Sequence, residues 1–130
     1  MSGMDAFAIR QRANDGRRIA LTLPDGSPTE HWLQIRSRWS DAFRQARDDA
    51  MQQVARLAQA GEAELDTALE QSTLAVRSAL VSAWSFDEPC VTDNVQAFLR
   101  EAPQIAELVD RAGADDPAFF GNAFASSPTG

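Results

Sequence analysis

The chain predicts a mainly helical α+β fold, in which an N-terminal β-hairpin is followed by a long helical hairpin and then by short, proline-separated helices. Three observations carry this expectation. Apolar residues recur at every second position over residues 17–37 and at every third or fourth over 40–84, and beyond that Pro89 and Pro103 cut the helical period into pieces. The expected organisation is one domain over residues 1–125, with the hairpin at 17–37, the helical hairpin at 40–84 and the short helices at 92–121. Residues 126–130 are expected to form a flexible tail.

The first segment, residues 5–14, suits a short helix stopped at Asn14-Asp15-Gly16, although Phe7 and Ile9 fit alternation almost as well. From Arg17 the period is two. Ile19, Leu21 and Leu23 alternate with Arg18, Ala20 and Thr22, and Leu33 and Ile35 alternate with Trp32, Gln34 and Arg36. The intervening Pro24-Asp25-Gly26-Ser27-Pro28-Thr29 is dense in turn residues. A lone two-stranded hairpin is marginal in water, so its apolar side must lie on the helices or pair with a strand from a neighbour.

Ser40 is placed to cap a helix starting at Asp41, and Trp39, Phe43, Ala46, Ala50, Val54 and Leu57 form one stripe along it. Gly61 ends it. Residues 62–83 repeat the pattern through Leu65, Leu69, Ser72, Val76, Leu80 and Ala83, with Leu74 and Val81 on a second side. This second helix is therefore expected either to be the most enclosed element or to offer its second face to another chain. Trp84 and Phe86 close it, and Asp87-Glu88-Pro89 breaks it.

Thr92 is expected to cap a short helix with Val95, Phe98 and Leu99 on one face. Pro103 starts the next at a position where proline costs little, and Ile105, Leu108, Val109 and Ala112 form its stripe up to Gly113. Asp116-Pro117 can start a last turn, and Phe119, Phe120 and Phe124 are too many large apolar groups for a solvated tail.

The composition narrows the function classes. The 130 residues hold 44% hydrophobic and 24% charged residues, which is ordinary for a folded domain. The first residues lack a charged head followed by a long apolar core, and no apolar run approaches a membrane span, so neither export by a signal peptide nor membrane insertion is expected. All twelve basic residues are arginine; nine of them face seven acids over residues 1–56, a balance of +2, whereas 57–130 carries −9. Arginine suits phosphate, but the local excess is small and the chain acidic, so no nucleic-acid partner is expected.

Catalytic parts are few. His31 is the single histidine and Cys90 the single cysteine, which rules out a two-histidine metal site and an internal disulfide within the chain. The pairs Asp48-Asp49, Asp87-Glu88 and Asp115-Asp116 lack a Ca²⁺-loop spacing, and no phosphate-cradling glycine loop occurs. No enzyme activity, cofactor or metal is expected. The candidate site is instead apolar: Trp84, Phe86, Phe98, Leu99, Ile105, Leu108 and Val109 either fill the core or line a groove between short helices that takes an amphipathic helix of a partner. Phe119 and Phe120 are candidate placeholders for that groove.

The order Trp84, Phe86, Pro89, Thr92, Asn94-Val95, Leu99, Pro103, Ile105 and Val109-Asp110, followed by Phe119-Phe120, resembles the C-terminal half of tail assembly chaperones of long-tailed bacteriophages and prophages. The arginine-rich strand, the Pro-Asp-Gly-Ser-Pro-Thr turn, the tryptophan-containing strand and the Ser-Asp-Ala-Phe-Arg helix start resemble the N-terminal half, so the likeness spans residues 17–122. It implies a protein of the bacterial host cytoplasm that binds and solubilises the helix-rich tape measure protein, helps recruit tail tube subunits, and self-associates. The alternatives are a structural or adaptor subunit of a tail or virion and a small helical regulatory binding domain.

Overall fold

The computed structural model describes residues 3–121, and the expected tail at 126–130, like Phe124, lies outside them. A 3-10 turn over Gly3–Phe7 leads into α1 (Arg10–Asp15), the strands β1 (Arg17–Thr22) and β2 (Pro28–Ile35), the long helices α2 (Asp41–Leu57) and α3 (Glu62–Ser78), and β3 (Val81–Trp84). Three shorter helices follow: α4 (Thr92–Glu101), α5 (Pro103–Gly113) and α6 (Asp116–Phe120). The fold is α+β, as the change of period predicts.

The hairpin expected from alternation is present, and its partner comes from within the chain. The sheet order is β1-β2-β3, antiparallel throughout, with Ile19 opposite Leu33 and Leu33 opposite Trp84. This corrects the helix expected over residues 62–83. α3 stops at Ser78, Leu80 N–H closes the turn onto Arg77 O at 3.1 Å, and Val81–Trp84 runs as a strand. Val81 and Ala83 also satisfy a period of two, and over so short an apolar run periodicity does not separate strand from helix. The open carbonyls and amides of β2 decide it. Arg36 N–H donates to Leu80 O at 2.6 Å, and the Arg36 guanidinium donates to Ala79 O at 2.9 Å, capping the end of α3.

One face of the sheet forms the core with α4 and α5. Leu21, Leu33, Ile35, Leu80, Val81, Val95, Leu99, Ile105, Ala106, Val109 and Ala112 make one buried cluster. Gly113, in the last turn of α5, lets that helix approach the α3–β3 turn: a Cβ there would lie 2.8 Å from Leu80 Cδ1. Pro103 opens α5 at its first turn as expected. Thr92 does not cap α4, because the cap position falls on Val91 and no side-chain cap bond forms.

The link between β2 and α2 ties the body together. Ser37 and Ser40 are fully buried. Ser37 N–H donates to Ala13 O at 3.1 Å, Arg38 N–H to Gly113 O at 2.8 Å, and Ser40 Oγ accepts from Phe43 N–H at 3.2 Å as the expected cap. Arg10 and Asn14 of α1 hold Asp41 at the start of α2, and Arg38 holds Asp116 at 2.7 Å. Gly16 must be glycine: its φ is +73° and a Cβ would run into the carbonyl of Ile35.

The helical hairpin turns at Gly61 (φ +136°), and α2 and α3 pack on each other. α3 is not the most enclosed element. Only Ala68 and Ser78 are buried on it, and no residue of α2 is. The two helices form an arm that rests on α1 beside α2 and on α4 and α5 beside α3. Its remaining side leaves Met51 64% and Leu69 46% exposed. At the other end of the chain, Asp115 accepts from Ala118 N–H to cap α6, Phe120 is buried, and Phe119 lies under Arg17 at 5.4 Å.

Candidate helix-docking cleft

The antiparallel register builds the candidate site. Directly opposed residues point to the same side of a sheet, so Trp84 shares the core face with Leu33, and continuing the ladder sets Phe86 against His31. Leu33 is in the middle of that face and buried; His31 and Phe86 are at its open end. Ser85 locks the corner, its Oγ accepting from Trp32 N–H at 2.9 Å and lying 2.9 Å from His31 Nδ1. The chain then turns back, with Trp84 Nε1–H donating to Glu88 O at 2.7 Å and Asn94 Nδ2–H to Pro89 O at 2.9 Å. This places α4 so that Phe98 closes an aromatic cluster.

Trp84 meets Phe86 and Phe98 edge to face, and the other ring pairs are tilted. Trp84 and Phe86 centroids lie 5.2 Å apart at 75°, Trp84 and Phe98 5.9 Å at 87°, Phe86 and Phe98 5.0 Å at 60°, and His31 stands 4.6 Å from Phe86. These are favourable aromatic geometries. All three large rings are half-buried. With Glu88, Asn94 and Ala97 they line an open cleft of about 290 Å³, apolar on its floor and polar at its rim.

The seven expected site residues therefore divide. Trp84, Phe86 and Phe98 meet in the cleft. Leu99, Ile105 and Val109 are 1%, 7% and 0% exposed and belong to the core, so as groove-lining residues they are corrected: the stripe they form is taken up by the sheet. Leu108 is half-buried against that core. Phe119 and Phe120 are not among the residues of the cleft; they pair with each other at 5.8 Å beside Arg17. Sequence reasoning missed His31, Glu88, Asn94 and Ala97. His31 was accessible to it, since positions 31, 33 and 35 share one strand face. Glu88 and Asn94 reach the rim through a turn whose path only the packed structure defines.

Burial pushes the Cys90 thiol up, away from a reactive thiolate, against a smaller opposing effect of Arg36. Among the described residues no group of three or more His, Cys, Asp or Glu side chains is placed to hold a metal ion. Several arginines of the first half are engaged within the chain: Arg10 on Asp41, Arg38 on Asp116, Arg17 near Asp115 at 3.8 Å, and Arg18 over the Trp32 ring at 3.6 Å. No described helix is long and apolar enough to cross a membrane. Comparison of the chain with protein-family models, with curated proteins and with solved structures gives no match.

Proposed function

We propose that the chain is a non-catalytic tail assembly chaperone of a long-tailed bacteriophage or prophage, acting in the cytoplasm of the bacterial host. Its client is the tape measure protein, whose long helices carry apolar stripes that aggregate when uncovered, and it helps bring tail tube subunits to that client. The observation that carries this reading is the half-open aromatic cleft formed by Trp84, Phe86 and Phe98. Such a cleft accepts two or three apolar side chains from one face of an amphipathic helix, and the rings are already held by their mutual contacts, so little ordering is lost on binding. A contact of this size is weak for one copy. Many copies along a long client hold it collectively and leave it singly, as a coat removed during assembly requires. The resemblance over residues 17–122 supports the identity of the client.

The experiment is co-expression with the tape measure protein of the same tail, followed by size-exclusion chromatography with light scattering. A soluble complex carrying several copies per client chain is expected, and Phe98→Ser should return the client to the insoluble fraction while the variant itself stays folded. A client that stays insoluble with the unmodified chain overturns the reading. Presence of the chain in purified particles would favour the structural-subunit alternative, in which the outer edge of β1, free of a strand partner among the described residues, joins a neighbour.

A further inference from the structure

The exposed side of the α2–α3 arm is a second apolar surface, distinct from the aromatic cleft. Ala50, Met51 and Val54 of α2 and Leu69, Ser72, Thr73 and Val76 of α3 line a shallow cavity of about 580 Å³. An amphipathic helix normally buries its whole stripe, and here one flank of each helix stays open. The charges along this side are sorted. At the base of the arm, where it joins the body, the cavity carries Arg47 and Arg77, and Arg44 lies two turns before Met51 on the same helix face. At the tip, Glu62 and Asp66 precede Leu69 at helical spacing on the same face of α3. Asp48 lies 4.0 Å from Arg47 and Asp110 3.9 Å from Arg77, and with both included the base remains basic and the tip acidic.

We propose that this side is a two-fold interface with a second copy of the chain, the two arms packing face to face and antiparallel into a four-helix bundle. A two-fold interface demands that the same surface be its own complement. The antiparallel arrangement meets that demand: it lays the arginines at the base of each arm over the acids at the tip of the other, with Met51, Leu69 and their neighbours meeting in the middle. The parallel arrangement sets base on base and brings like charges together. A foreign helix would have no reason to match this gradient, whereas a second copy carries its mirror by construction. Each helix of the arm has 17 residues, about 25 Å at ~1.5 Å per residue, long enough for several layers of side chains across the seam. None of the residues lining the aromatic cleft belongs to the arm, so the two surfaces share no side chain.

The test uses the full chain alone, without a client, so its result is independent of the proposed function. Sedimentation equilibrium from about 1 to 200 µM is expected to show a reversible monomer–dimer equilibrium. Met51→Asp should weaken it on the order of a hundredfold, because the two-fold axis doubles the loss of each buried apolar group; Met51 is exposed in the single chain, so at a concentration where both chains are monomeric circular dichroism and the melting temperature should be unchanged. The specific prediction concerns charge. A chain carrying Arg44→Glu and Arg47→Glu and a chain carrying Glu62→Arg and Asp66→Arg should each pair poorly with itself, yet form a heterodimer when mixed. A chain that remains monomeric at 200 µM, a dimer indifferent to Met51→Asp, or reversed chains that do not prefer each other overturns the proposal.

Discussion

Phe98 and Leu99 are neighbours on α4, and truncating each to alanine separates the cleft from the core. Leu99 is 1% exposed within the central cluster. Its loss removes the transfer free energy of the buried side chain and leaves a cavity that the sheet cannot collapse into, about 2–5 kcal/mol. Phe98 is half-buried and contributes two ring contacts, to Trp84 and Phe86. At about 0.5–1.5 kcal/mol per aromatic pair the two pairs amount to roughly 1–3 kcal/mol, and solvent is able to fill the space left behind. Urea unfolding followed by tryptophan fluorescence and circular dichroism gives both values from midpoints at constant slope. Client solubilisation should rank in the opposite order, with Phe98→Ala losing the client while well folded and Leu99→Ala retaining it below its unfolding midpoint. A larger stability loss for Phe98→Ala than for Leu99→Ala, or loss of the client only with Leu99→Ala, would refute the division between an exposed aromatic cleft and an interior helix face.

Two further outcomes follow from the frame that holds the site. Hydrogen bonds from Arg38 and, less strongly, from Trp39 hold the Asp116 carboxyl below the usual carboxylate range, against desolvation; a depressed folded-state pKa stabilises above the unfolded value of about 3.9 and the effect is lost as pH falls through the folded one, so melting temperatures should fall more steeply below about pH 4 in the unmodified chain than in Asp116→Asn. Gly16→Ala, which puts a Cβ against Ile35 O at positive φ, should cost more than ~2 kcal/mol in thermal unfolding, while Gly26→Ala, at φ +88° with open space around it, should cost about 1 kcal/mol.

The legible parts of this protein were those set by local chemistry. Alternation through Ile19, Leu21, Leu33 and Ile35, the Ser40 cap, the Gly61 turn and Pro103 at the head of α5 each act within a few residues, and the α+β class follows from their order. Helical spacing likewise identified Leu99, Ile105 and Val109 as one-sided stripes, because amphipathicity is a property of the segment. Which stripe is sealed and which stays open is a property of the neighbours. β3 exists because β2 had an unpaired edge within reach of the chain leaving α3, and that pairing converted the expected end of a helix into the wall of a cleft. Once the sheet had covered Leu99 and Val109, the rings of Trp84, Phe86 and Phe98 were left at its open end with His31. The sequence by itself determined the fold class and the set of apolar residues available for binding. Tertiary packing alone decided which of them face water, since burial depends on contacts between segments far apart in the chain.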